Sequence, residues 1–167
     1  NPEPVMATPG TTVCSREATG ITLSVNAGGV AAASYNITNI NSNGLTPSAG
    51  LPSSGSGLPS SSIADDAWIN ISSANVNVVY TVVPVSAAGC EGNPADITII
   101  VKPEPVITPG QSENACSGNP LGYEIQLDNF TNPVAGVTFR WDAPVLNPVN
   151  PAFTGGTARN SASSAGA

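Results

Sequence analysis

Apolar and polar residues alternate in short runs along most of this chain, and nowhere do apolar positions recur at helical spacing. A period of two puts successive side chains on opposite faces of an extended strand. Ile21, Leu23 and Val25 alternate in this way with Thr22, Ser24 and Asn26, and the Gly28-Gly29 pair then turns the chain. Tyr35 and Ile37 alternate with Asn36 and Thr38. The clearest strand has Val76, Val78, Tyr80 and Val82 on its inner face, with Asn77 and Thr81 outside. A turn at Ala88–Pro94 comes next, and Ile97, Ile99 and Val101 alternate with Thr98 and Lys102. Ile69 and Ile71 predict a further strand just after Asp65-Asp66, with Trp68 out of phase at an end of the core. Gly44–Ser62 carries no strand signal, and its Gly, Pro and Ser content predicts a mobile connection pinned at Leu45, Leu51 and Leu58. Strands so spaced, with no helix between them, predict an all-β fold, a sandwich of two antiparallel sheets.

The pattern also repeats. Pro2-Glu3-Pro4-Val5 returns as Pro103-Glu104-Pro105-Val106, and Thr8-Pro9-Gly10 returns as Thr108-Pro109-Gly110. Cys14-Ser15 and Gly20 return as Cys116-Ser117 and Gly122, so the offset drifts only from 100 to 102 residues. A fixed period of that size marks tandem modules. The second copy shows the same apolar phase, at Tyr123, Ile125 and Leu127 and again at Val137, Phe139 and Trp141. The expected organisation is a complete module over residues 1–102 and the first part of a second over 103–167. The chain then reads as an excerpt of a longer polypeptide. Lys102, Pro103, Glu104 and Pro105 form the inter-repeat linker, stiffened because proline fixes φ.

Composition sharpens this reading. The chain of 167 residues holds 17 glycines and 16 prolines, the mixture expected of short strands joined by tight turns. A net charge of −7 with four basic residues excludes the clustered Lys and Arg that a nucleic-acid partner demands. No apolar run is long enough to span a membrane. Cys14, Cys90 and Cys116 give two cysteines per module once the repeat is completed, which points to structural disulfides in an oxidising, extracytoplasmic setting. With no histidine in the chain, a zinc shell is a poor competitor.

Tyr80–Pro105 reads YTVVPVSAAGCEGNPADITIIVKPEP and comes after a CSREATGITLSV segment and a SYNIT strand. This stretch resembles the PKD-like, immunoglobulin-like repeats of very large bacterial surface adhesins exported by the type IX system, of the gliding-motility kind. The Tyr-x-Val-x-Pro…Gly-Cys hairpin and the Pro-Glu-Pro junction carry the resemblance, which covers the first module and the start of the second. The WDFGDG-like signature of true PKD domains is absent. The tryptophan that such repeats tend to have on the third strand appears as Trp141, whereas the first module has Ile37 there. The resemblance implies a non-catalytic stalk at the cell surface, with neighbouring repeats, surface polysaccharide and outer-membrane or secretion-system proteins as partners.

Candidate chemistry is sparse. Without histidine, Ser-His-Asp and Cys-His nucleophilic arrangements are excluded. Asp65 and Asp66 are the nearest thing to an acid/base pair, but neighbours on an extended chain point to opposite faces. They read as a solvated loop. Ca²⁺ is the one candidate cofactor, with Glu104 and Asp96 as its thin donor set. Asn36-Ile37-Thr38, Asn70-Ile71-Ser72 and Asn129-Phe130-Thr131 fit the N-glycosylation pattern and read as accidents of composition. Two cysteine pairings stay open: Cys14–Cys90 within a module, the default, or Cys14 to the next module's counterpart of Cys90. A polysaccharide-binding repeat would need an exposed aromatic, and Trp68 is the candidate surface contact. A third reading makes the modules spacers in a secreted multidomain enzyme.

Overall fold

The computed structural model describes residues 2–114, 116, 119, 129–142 and 159–161, and the expected strand at Tyr123, Ile125 and Leu127 lies outside them. The chain divides into two compact units, Asn1–Glu104 and Pro105–Ala167. It is all-β, as the alternation predicts.

Unit 1 is built around β6 (Val76–Ser86), whose β-branched and aromatic residues suit a pleated surface buried on one face. It pairs antiparallel with β2 (Ala32–Asn41) on one side and β7 (Ala95–Lys102) on the other. β4 (Gly55–Leu58) extends the sheet beyond β2, and β1 (Thr11–Cys14) closes the far edge beside β7. The β1–β7 pair is parallel, in register from Thr11 opposite Ile99 to Cys14 opposite Lys102.

The facing layer is less regular. β3 (Thr46–Ala49) and β5 (Ala67–Ile69) pair antiparallel. Single bridges then join Ala18 to Ala67 and Met6 to Val25. Backbone N–H groups of Arg16, Thr19 and Leu23 donate to the carbonyls of Trp68, Asp66 and Ser60 at 2.8, 2.9 and 2.8 Å. Ile21 and Leu23 are buried on the predicted phase, yet their stretch forms these scattered bonds instead of the expected strand. Met6, Ile21, Leu23, Ile63 and Trp68 from this layer join Tyr35, Ile37, Val78, Tyr80, Val82, Ile97, Ile99 and Val101 in a single core cluster. Each fully buried aliphatic side chain in it stabilises by about 1.5–3 kcal/mol.

Gly44–Ser62 is not the unstructured connection its composition predicts. The chain makes β3 in one layer, crosses, and makes β4 in the other. β3 is exposed along its whole length, so no apolar alternation announces it. Of the three leucines, Leu45 and Leu58 pack against the core, while Leu51 is 90% exposed.

The two ends of unit 1 lie at opposite ends of β7. Near its start, the Pro4 carbonyl passes so close to Gly92 that a Cβ there would overlap it. Pro4 and Pro84 are fully buried at this crossing. Beyond its finish, Glu104 N–H donates to Asn70 O at 2.9 Å.

In unit 2, β8 (Val106–Ile107) pairs antiparallel with β9 (Phe130–Asn132), and β10 (Phe139–Trp141) with β11 (Arg159–Ser161). The Phe130 and Phe139 rings pack with centroids 5.7 Å apart, and Val137 is buried. Trp141 is 41% exposed.

Candidate functional site

Three buried polar residues of unit 1, Thr19, Asp66 and Asn70, lie at or beside β5, where the phase differs from the sequence expectation. Trp68 is 4% exposed and Asn70 fully buried, while Ile71 is 65% exposed. Trp68 is therefore a core residue and not a surface contact. Its Nε1–H donates to the Tyr80 hydroxyl at 3.1 Å, and the two rings meet edge to face at 6.4 Å and 68°. An indole buried this way satisfies its one donor and gains from the ring geometry.

Asn70 is tolerated inside because every polar atom of its side chain is used. Its Nδ2 donates to Ala74 O and Val101 O at 2.9 and 2.8 Å, and its Oδ1 accepts from Ser72 N–H and Ser72 Oγ–H at 3.0 and 2.6 Å. It cross-links the turn before β6 to the end of β7, and buried as it is, it offers nothing to a glycosylating enzyme.

Asp66 does not belong to a solvated loop either. It is 1% exposed, and its Oδ2 accepts the Tyr80 hydroxyl proton at 2.8 Å. Its Oδ1 has no hydrogen-bond partner and rests against Gly50, where a Cβ would overlap it. Asp65 beside it is exposed. Burial is the main cause that pushes the Asp66 carboxyl above the usual carboxylate range, and burial, then the bond to Asp66, pushes the Tyr80 phenol up. A folded-state value above the unfolded one favours the protonated native state. This contribution to stability is complete below the ordinary carboxylate range and is lost as pH rises through the raised value. Asp66→Asn should therefore be at least as stable as the parent at neutral pH. It should also lack the gain the parent shows on mild acidification, which melting curves across that window would check.

The cysteines are not paired. Cys14 and Cys116 are exposed, and Cys90 is half-buried. Cys14 stands opposite Lys102 at the finish of β7, whereas Cys90 precedes its start, in a turn where Cys90 N–H donates to Ser86 Oγ at 3.0 Å. The eight residues of β7 span about 23 Å at strand rise. A disulfide spans less than about 7 Å between Cα atoms. The parallel placement of β1 thus corrects the default Cys14–Cys90 pairing.

The carboxylates considered for calcium have other partners. Asp96 accepts from Thr81 Oγ at 2.8 Å. Glu104 takes Arg16 in a two-point ion pair, Nε to Oε2 at 2.8 Å and Nη2 to Oε1 at 3.1 Å, and accepts Ser15 Oγ at 2.9 Å. No group of three or more Cys, Asp or Glu is placed to hold a metal among the described residues. Three open hollows of about 270 to 510 Å³ lie on unit 1, lined by Ser, Thr, Asn, Gly, Pro and aliphatic residues with Tyr35, and none presents a carboxylate, a thiol or a cation. No helix of the described residues is long and apolar enough to cross a membrane.

What these residues share is a fold-building role, and the comparison with known families falls on the same ground. Residues 53–105 match the family model of the PKD-like domain. The matched stretch runs from just before β4 through β5, β6 and β7 to Pro105, so it contains Asp66, Trp68, Asn70, Tyr80 and Glu104. The immunoglobulin-like sandwich of unit 1 is the architecture such a match implies. No curated protein and no solved structure matches the chain.

Sequence reasoning missed Asp66, Asn70 and Arg16. Asp66 and Asn70 had a signal, since they share the two-residue phase of Trp68, but a polar residue on that phase argued against burial. Arg16 had none beyond its place after Cys14-Ser15, where the second copy has Gly118.

Proposed function

We propose that this chain is a run of non-catalytic spacer modules from an extracellular protein at a bacterial cell surface. The protein would be a very large adhesin of the kind exported by the type IX route, serving adhesion and gliding. The observation that carries the reading is the course of unit 1, which the chain enters beside Gly92 and leaves past Lys102, at opposite ends of β7. A module traversed lengthwise adds its full length to a stalk. The repeat of Pro-Glu-Pro at the unit boundary and the PKD-like match support it further. The partners in this reading are neighbouring repeats of the same chain, with cysteines pairing from copy to copy.

Binding of polysaccharide by the repeat itself has less support. All three aromatics of unit 1, Tyr35, Trp68 and Tyr80, are buried, so it presents no aromatic platform. The deciding measurement is the size of the native polypeptide, from a denaturing blot with an antibody raised to Gly44–Ser62. A surface product of several hundred kilodaltons is expected. One at or below about one hundred kilodaltons, a handful of domains, would overturn the adhesin reading and favour a spacer in a smaller secreted enzyme.

A further inference from the structure

We propose that Glu104 is the latch of a carboxylate-capturing clamp on unit 1, in which Arg16, Ser15 and Asn70 hold it so that the chain leaves β7 in one fixed direction. Three parts of the unit, the segment after β1 and the ends of β5 and β7, converge on this residue. Arg16 offers its planar fork to both carboxylate oxygens, the geometry in which an ion pair adds direction as well as attraction. The Ser15 hydroxyl donates to Glu104 Oε2 while accepting Asn70 N–H at 2.9 Å, so the bond to the latch is passed on to the buried β5 end. Asn70 O accepts the Glu104 N–H, and Ser15 N–H donates to the Lys102 carbonyl at 3.1 Å. Glu104 is thereby held at its side chain and its backbone together. Pro103 and Pro105 on either side have fixed φ angles, so fixing Glu104 fixes the three-residue segment.

The second observation is the backbone at Arg16. Its φ is +67°, in the left-handed region that suits glycine and disfavours any residue with a Cβ. The second copy has a glycine, Gly118, at the matching place after Cys116-Ser117. An arginine placed on a glycine conformation makes sense through what its side chain reaches, and it reaches Glu104. Of the neighbouring charged residues, Glu17 accepts Cys14 N–H at 2.8 Å, and Lys102 is exposed at the finish of β7. The Arg16 guanidinium, first by hydrogen bonding, holds the Glu104 carboxyl below the usual range, consistent with an occupied clamp at neutral pH.

The clamp stands on unit 1 alone and does not depend on the spacer reading. Its test uses amide exchange by NMR on the whole chain. Glu104 is well placed for it, since the flanking prolines have no N–H and its signal is isolated in sequence. Glu104→Gln keeps the shape and removes the charge, while Arg16→Gly removes the fork and relieves the backbone. Both should speed exchange of the residue-104 amide by about threefold to tenfold, with the Tyr80 amide unchanged as the measure of global stability. Unchanged exchange in both variants would overturn the clamp. So would acceleration in Arg16→Gly alone, because the backbone at residue 16 and not capture of the charge would then be responsible.

Discussion

Trp68→Ala is expected to destabilise unit 1 by about 3–5 kcal/mol, the range for emptying an aromatic site in a packed core. Three effects act together. The indole leaves a cavity bounded by Tyr80 and the core cluster, the edge-to-face contact is lost, and the Tyr80 hydroxyl loses the donor that helps orient it toward Asp66. A domain of this size has about 5–15 kcal/mol in all, so much of the margin disappears. Denaturant unfolding of the purified chain would show a midpoint shifted sharply down. The same variant bears on surface binding. Any ligand lost by Trp68→Ala would have to be rechecked with Trp68→Phe, which keeps most of the core filled. A variant that retained full stability would contradict the buried placement of Trp68.

Gly50→Ala is the second large effect, at roughly 2–5 kcal/mol from left-handed strain and overpacking combined. Gly50 has φ of +87°, and a Cβ would run into the Asp66 backbone and its Oδ1. The backbone of Asp66 cannot retreat easily, because its carbonyl accepts Thr19 N–H and its side chain is tied to Tyr80. Gly57→Ala is the natural control. Its φ is also positive, at +70°, but a Cβ there would meet nothing within 4 Å. The difference between the two melting temperatures isolates the close approach to Asp66 from the cost of the backbone angle. Equal losses would mean that the contact with Asp66 contributes nothing.

The central strands were legible because burial and hydrogen bonding ask the same thing of them. Through most of β6 and all of β7 every second residue is apolar, and Val78, Tyr80, Val82, Ile97, Ile99 and Val101 all turned inward. β5 was harder because a polar side chain with complete hydrogen bonding can replace an aliphatic one. Asn70 takes an inner position that pattern reasoning gives to Ile69 or Ile71. β3 and β4 were hidden for a different reason. Their residues are Gly, Pro, Ala, Ser and Thr with one leucine, so backbone pairing alone makes them strands. The buried triad of Asp66, Tyr80 and Trp68 depends on contacts between residues up to 14 apart across two layers, which no local pattern encodes. The cysteine geometry was within reach only as two alternatives, and the direction of β1 decides against the one inside the module.

That direction has a consequence for a chain under tension. β1 comes after the end of unit 1 near Pro4, β7 precedes the end at Glu104, and the two strands lie side by side and parallel. Pulling the ends apart draws β1 back along its axis and β7 forward along its own. The hydrogen bonds between them then lie across the pull and are loaded in shear, all sharing the strain, instead of opening one at a time like a zipper. An antiparallel closing strand entered from the same end would peel. One four-residue strand, laid parallel at the sheet's edge, sets how unit 1 yields to force.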